Sequence, residues 1–341
     1  MNIIKTRNKK GNIIIIKFNN YLIIFVIFFL LISLGESKLK LPKINFNSEI
    51  LIIIRGIGKQ PILNIKKSNS NSNKKYFNYT PSEIYINNIF QNITDNLEYN
   101  LEKEENNITL IFNQSLKHCN WMFYNLINIT KIHFLKFDSS NLIEMIETFG
   151  NCNNLISLNL SVLDTSKVLS MKGMFSDCNK LPSLDSNNFN IDSENDIRNY
   201  LSNSSNLILL DLSNFNTSSV TDMSNMFSGC NNIISLDLSN FNTSSVINMN
   251  SMFSGCNNLI SLDLSTFNVS YVINMNSMFS SCSKLISLNL NNFNTSSVTN
   301  MESMFSSCSN LISLNLSNFN TSSVINMKSM FSGCKYINSL D

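Results

Sequence analysis

The residues with distinctive chemistry recur at one fixed interval. Cys152 and Cys178 lie 26 residues apart, and Ser204 stands one further step along. The same step then continues through Cys230, Cys256, Cys282, Cys308 and Cys334. The spacing is unlike the paired CxxC motifs of zinc sites. Side chains in one column point in parallel, and five consecutive cysteines cannot all pair, so we expect buried, reduced thiols that pack as small apolar groups.

A second column is polar and defines the candidate ligand face. It contains Asn159, Asp211, Asp237, Asp263, Asn289 and Asn315. On neighbouring strands about 5 Å apart, two carboxylates repel by roughly 1–3 kcal/mol. Ca²⁺ would relieve that repulsion, but a solvated ladder is the alternative, and we expect neither a metal nor a cofactor. The column lacks aromatic residues, which disfavours stacking on sugars.

The sequence also contains many N-x-[ST] sequons, which are candidate glycosylation sites in an exported eukaryotic protein. They begin at Asn78, Asn92, Asn107, Asn113, Asn128, Asn159, Asn203, Asn216, Asn242, Asn268, Asn294, Asn315 and Asn320. Five of them recur every 26 residues from Asn216 to Asn320. At those five positions a structural role is the alternative, because Asn and the following Thr or Ser make turn and cap hydrogen bonds.

Catalytic and nucleic-acid-binding functions receive no support. The chain has only two histidines and no GxSxG, HExxH, P-loop or Rossmann motif, so we expect no enzyme. Residues 126–341 contain 9 basic and 15 acidic side chains. Nucleic-acid binding needs a basic surface, so this acidic region argues against it.

The elements that position these columns can be read from one unit, CNNIISLDLSNFNTSSVINMNSMFSG, which begins at Cys230. Leu236 and Leu238 alternate with polar residues, which predicts a short strand. Val246, Met249 and Met252 follow a spacing of three, which predicts a short α or 3₁₀ helix with its apolar stripe facing inward. The position before each cysteine is often glycine, which suggests a turn with positive φ.

These units resemble the BspA-like (DUF285) leucine-rich repeats of surface proteins. The resemblance rests on NFNTSSVTDMSNMFSGC (214–230), NFNTSSVINMNSMFSGC (240–256) and NFNTSSVTNMESMFSSC (292–308), and covers residues 107–341. It implies an α/β solenoid with one short parallel strand and one short helix per repeat. It also implies binding, with adhesion described for some members, in place of catalysis.

The repeats suggest four regions. We expect a signal peptide or signal anchor at 1–37, since basic residues precede the apolar run 21–34. A linker with little regular structure is expected at 38–106 and an N-terminal cap at 107–125. Eight repeats and a truncated ninth follow at 126–341, and the end inside a repeat suggests that the natural product continues.

The sequence therefore predicts a secreted or cell-surface protein that binds an extracellular or cell-surface protein ligand through its polar strand face. The alternative is the extracellular part of a membrane-anchored receptor. Contact with the membrane is expected only through an uncleaved N-terminal segment.

Overall fold

The structure is a computed structural model that describes residues 2–8, 11–17, 48–64, 80–185 and 196–340. The chain divides into two compact units, Met1–Asn45 and Phe46–Asp341. In the first unit, β1 (Asn2–Asn8) and β2 (Gly11–Lys17) pair as an antiparallel hairpin. The apolar run 21–34 of the predicted signal lies outside the described residues.

The second unit opens with a mixed six-stranded sheet. Its strands are β3 (Ser48–Arg55), β5 (Glu83–Ile86), β6 (Ile89–Gln91), β8 (Glu105–Phe112), β9 (Ile129–Lys136) and β10 (Ser157–Asn159), in the order β10-β9-β3-β8-β5-β6. The central strand β3 alternates between buried and partly exposed residues, and Ile50, Ile52 and Ile54 are almost completely buried. A separate antiparallel pair joins β4 (Gly58–Pro61) to β7 (Glu98–Leu101).

These strands correct two expectations about the N-terminal region. The predicted linker at 38–106 is wrong over its described residues, because β3 to β7 and the first residues of β8 lie there. The predicted cap at 107–125 is only part of the element that precedes the repeats. The strand of the first repeat is β9, which pairs in parallel with β10 of the second repeat and antiparallel with β3, so the six-stranded sheet includes the first two repeat strands and covers the start of the solenoid.

The repeats form a solenoid of parallel strands in register. Its later strands are β11 (Ser183–Asp185), β12 (Leu209–Asp211), β13 (Ser261–Asp263), β14 (Ser287–Asn289), β15 (Ser313–Leu314) and β16 (Ser339–Leu340). They pair as β11 with β12, β13 with β14 and β15 with β16. Each residue pairs with the one 26 positions later, so equivalent side chains form columns.

The predicted helix is wrong. No described residue lies in a helix, so the chain has no helix among those residues that could cross a membrane. In its place lie successive tight turns, in which Met252 N–H donates to the carbonyl of Met249 at 3.2 Å. The alternate residues donate to the next coil instead: Met249 N–H reaches the Asn274 carbonyl at 3.0 Å. Solenoid coils therefore bond to each other on this side as well as along the strands.

Backbone conformation explains why a helix cannot form. Each coil has two left-handed residues four positions apart, such as Ser251 (φ 53°) and Gly255 (φ 74°). A left-handed residue interrupts the continuous right-handed path of an α-helix. The expectation of positive φ before the cysteines of the 26-residue column is confirmed, including at Ser281, where the residue is not glycine, and Asn203 before Ser204 has it as well.

The interior is built from the same columns. The methionines from Met145 to Met301 that recur in step are completely buried, which confirms that they fill the core. Phenylalanine rings stack in register along the axis, with Phe253 lying 5.6 Å from Phe227 and 5.7 Å from Phe279 between ring centroids. Burial of every coil thus depends on the coils on either side.

Candidate binding face of the solenoid

The strands present the candidate ligand column to solvent. In β13, Ser261 and Asp263 are exposed and Leu262 between them is buried, as period-two alternation requires. The register places Asp263 beside Asn289 and Asp185 beside Asp211. At the start of the column, Asn159 pairs with His133 of β9.

Each candidate side chain has a local structural task. The Oδ1 atom of Asp237 accepts a hydrogen bond from the backbone N–H of Ser239 at 3.0 Å. The same Asx turn is made at Asn159, Asp211, Asp263, Asn289 and Asn315. The turn ends the strand and sends the chain around the coil. Asn and Asp can therefore exchange in this column with the turn preserved.

Hydrogen bonds to the carboxylates favour their charged form. The backbone N–H of Ser213 and its hydroxyl lower the pKa of Asp211. The hydroxyl and N–H of Ser239 lower the pKa of Asp237, and the N–H and hydroxyl of Ser265 lower that of Asp263. The three carboxylates are thus anionic at neutral pH. Among the described residues, no group of three or more His, Cys, Asp or Glu side chains is placed to hold a metal ion.

An exposed isoleucine column lies beside this polar column. It contains Ile156, Ile208, Ile234, Ile260, Ile286 and Ile312, each 38–55% exposed, with Pro182 at the intervening position. Backbone hydrogen bonds between coils hold this column in register. The Ile260 N–H donates to the Ile234 carbonyl at 3.1 Å, and the Ile286 N–H donates to the Ile260 carbonyl at 2.9 Å. Sequence reasoning missed it because these residues adjoin buried leucines. Their recurrence every 26 residues, in most coils just before a serine of the strand, was the available signal.

Amides flank the isoleucine column on its other side. The Nδ2 of Asn258 donates to Oδ1 of Asn232 at 3.2 Å, and the Nδ2 of Asn232 donates to Oδ1 of Asn206 at 3.2 Å. Near the last coils, a groove of about 400 Å³ is lined by Ile286, Asn310, Ile312, Tyr336 and Asn338. The strand face therefore combines an apolar column with an amide column and a carboxylate column.

The cysteine column lies inside the solenoid and away from this face. All eight cysteines are free, and those from Cys119 to Cys308 are buried. The Sγ of Cys256 donates to the Phe227 carbonyl of the preceding coil at 3.2 Å. At the missing position, the Ser204 hydroxyl makes the same bond to Phe175 at 2.7 Å. Burial raises the pKa of Cys152 and Cys230 to about 12, which makes both poor nucleophiles.

The sequon asparagines lie on the surface. Twelve of the thirteen are exposed, and Asn78 lies outside the described residues. In the repeats, the structural role is confirmed: Oδ1 of Asn242 accepts from Ser244 N–H at 3.0 Å. Equivalent turns form at Asn216, Asn268, Asn294 and Asn320. Glycosylation of these exposed amides stays a prediction.

Comparison with known proteins identifies the repeats. The sequence model of a family described as "Mycoplasma protein of unknown function, DUF285" matches residues 85–208, 117–236, 196–287 and 282–340. The chain belongs to the DUF285 family. This match confirms the resemblance drawn from the repeat sequence.

No curated protein matches the chain. Among solved structures, a leucine-rich repeat protein from Bacteroides ovatus ATCC 8483 is similar, with 21% sequence identity and a TM-score of 0.33. The similar region covers 59% of this chain and 58% of that protein.

Proposed function

We propose that this DUF285 protein is a non-catalytic binding protein that recognises another protein through the strand face of its solenoid. The observation that carries the proposal is the isoleucine column, because six isoleucines expose 38–55% of their surface at regular intervals. Burying the exposed half of one isoleucine would contribute roughly 1 kcal/mol. Five in consecutive coils would contribute about 5 kcal/mol, which offsets part of the cost of association. Contiguous exposed apolar surface of this kind marks interaction sites.

The polar columns supply selectivity on either side of the apolar one. Anionic Asp211, Asp237 and Asp263 lie on one flank, and the amides of Asn206, Asn232 and Asn258 lie on the other. This arrangement, an apolar strip with a polar rim, is typical of protein interfaces.

Site-specific photo-crosslinking tests the proposal. A benzophenone amino acid replaces Ile260 in one variant and Ile273 in another. The two side chains are 45% and 47% exposed, and Ile273 lies half a coil further along the chain. Crosslinks to a cellular protein from position 260 and not from 273 would support the strand face. Equal crosslinking, or crosslinking from position 273 alone, would refute it.

The proposal includes export to the cell surface or the medium, where adhesion to a neighbouring cell or matrix is the expected role. Its support is the basic N-terminus followed by the apolar run 21–34. N-terminal sequencing of the protein from its own cells checks this. A start near Lys38 agrees with cleavage, whereas an intact Met1 in the cytosolic fraction contradicts export.

A further inference from the structure

The spacing of the isoleucines on the strand face and the charges beside them indicate what kind of segment the face binds. We propose that it binds an amphipathic, cationic α-helix of a partner protein, laid along the solenoid axis with its apolar stripe on the isoleucine column. This inference rests on the binding function proposed above. It adds the shape and the charge of the segment that is bound.

The spacing of the isoleucines favours a helix over a strand. Paired strands lie about 4.8 Å apart, so consecutive isoleucines recur at that interval along the axis. An α-helix presents one apolar residue per turn, about every 5.4 Å. A strand presents one on the same face only about every 6.7 Å. From Ile208 to Ile312 the column is unbroken across five coils, about 19 Å, which a helix of roughly 13 residues would cover.

The charge beside the isoleucine column determines the charge that the bound helix must carry. Asp185, Asp211, Asp237 and Asp263 occupy the carboxylate column of four successive coils. Asp211, Asp237 and Asp263 each lie three residues beyond an isoleucine, and Asp185 lies three residues beyond Pro182. Three residues span about 10 Å of extended chain, which is close to the diameter of a helix with its side chains. Lysine or arginine at the edge of the apolar stripe can reach that distance.

The opposite flank does not neutralise this charge. The amide column is uncharged at Asn206, Asn232 and Asn258, and its basic residues, Lys180 and Lys284, lie one coil beyond that stretch at either end. An acidic helix would therefore meet repulsion from the carboxylates along the middle of the face, whereas a basic helix would be attracted.

Three synthetic peptides of 20 residues test the inference with the full-length protein. The first has leucines on one helical stripe and lysines beside them. The second replaces the lysines by glutamates, and the third keeps the composition of the first but scatters the leucines. Fluorescence anisotropy at 0.15 M and 0.5 M salt measures their affinities. We expect the first peptide to bind at least tenfold more tightly than either comparator, and to weaken at high salt.

Variants of the protein locate the site. The pair Ile234→Ser and Ile260→Ser should weaken binding of the first peptide by roughly tenfold or more. The pair Ile247→Ser and Ile273→Ser, equally exposed but away from the strand face, should leave it unchanged. Asp237→Asn with Asp263→Asn keeps the turns, removes two of the four carboxylates and should reduce the salt dependence by about half.

Several results would overturn the inference. These are equal binding of the acidic or scattered peptide, no effect of the Ile234 and Ile260 pair, or a dimer of this chain that the same pair dissolves and that excludes the peptide. The crosslinking experiment separates the two proposals. If position 260 crosslinks to a partner that uses a different kind of segment, the helix inference fails and the binding function stands.

Discussion

Thr243 joins two coils through its hydroxyl, and replacing it tests the role of such bonds. Its side chain is 1% exposed. Oγ1 donates to the Asn268 carbonyl at 2.9 Å and accepts the Asn268 N–H at 2.8 Å. Thr295 makes the same two bonds to Asn320, at 3.0 and 2.9 Å. The isosteric change Thr243→Val removes both bonds and leaves the shape of the side chain.

The size of the stability loss follows from the N–H and the carbonyl of Asn268, which both lose their hydrogen-bond partner. An unsatisfied buried group costs about 1–3 kcal/mol. Asn268 is itself exposed, so water reaches part of its backbone and the lower end applies to each group. We expect Thr243→Val to reduce the free energy of unfolding by about 2 kcal/mol. For a unit of this size, that corresponds to a fall in the melting temperature of roughly 4–8 °C.

Hydrogen exchange provides a local assay beside thermal unfolding. The Asn268 amide should exchange faster in Thr243→Val and stay protected in Thr243→Ser, which keeps the hydroxyl. Val269 occupies the equivalent position one coil later, where Asn294 N–H bonds instead to the Asn292 carbonyl at 3.0 Å. Val269→Thr is therefore the matched control and should not destabilise. A Thr243→Val protein with unchanged melting temperature and a protected Asn268 amide would refute the reasoning.

Three further predictions concern other columns. Unfolded thiols ionise near pH 8.5, whereas burial holds the pKa of Cys152 and Cys230 at about 12. The unfolded state thus releases protons first, and stability in urea should fall as pH rises from about 9 to 12; a flat profile would contradict this. Gly229→Ala should lower the melting temperature more than Gly255→Ala. An added Cβ would meet the side-chain Oδ1 of Asn203 at position 229, but would make only ordinary contacts at position 255. Equal losses in the two variants would contradict this prediction. Asp237→Asn keeps the turn and should leave the melting temperature unchanged, whereas Asp237→Ala loses the turn and should lower it; calorimetry showing equal losses would exclude the turn role.

The sequence predicts the columns of this fold because a fixed period needs no knowledge of backbone conformation. The burial of Met249 and Cys256 and the exposure of Asp237 all follow from register. The helix prediction failed because successive tight turns also bury residues at a spacing of three. Only the backbone angle at positions such as Ser251 distinguishes the two, and a serine does not mark a left-handed position as a glycine does.

The candidate site was predicted only in part for a similar reason. The alternation of the strand correctly predicts that Asp263 is exposed. Ile260 lies just before the strand, where alternation no longer applies. An isoleucine beside the buried Leu259 resembles core, so its exposure depends on how the chain bends there. The strands from β4 to β7 were missed because the Asn- and Lys-rich composition of this region suggested a linker, whereas the apolar run 50–54 is typical of the strand that forms there.

The in-register stacking of the phenylalanine rings affects how the number of repeats can change during evolution. Phe253, Phe279 and Phe305 stack on their neighbours with nearly identical geometry, at 5.4–5.7 Å and 5–8° between planes. The upper surface of one coil therefore accepts the lower surface of any equivalent coil. A gene that gains or loses 78 nucleotides by unequal crossing-over would still encode a solenoid whose surfaces match. The length of the isoleucine column, and with it the reach of the protein, can vary while every remaining contact is retained.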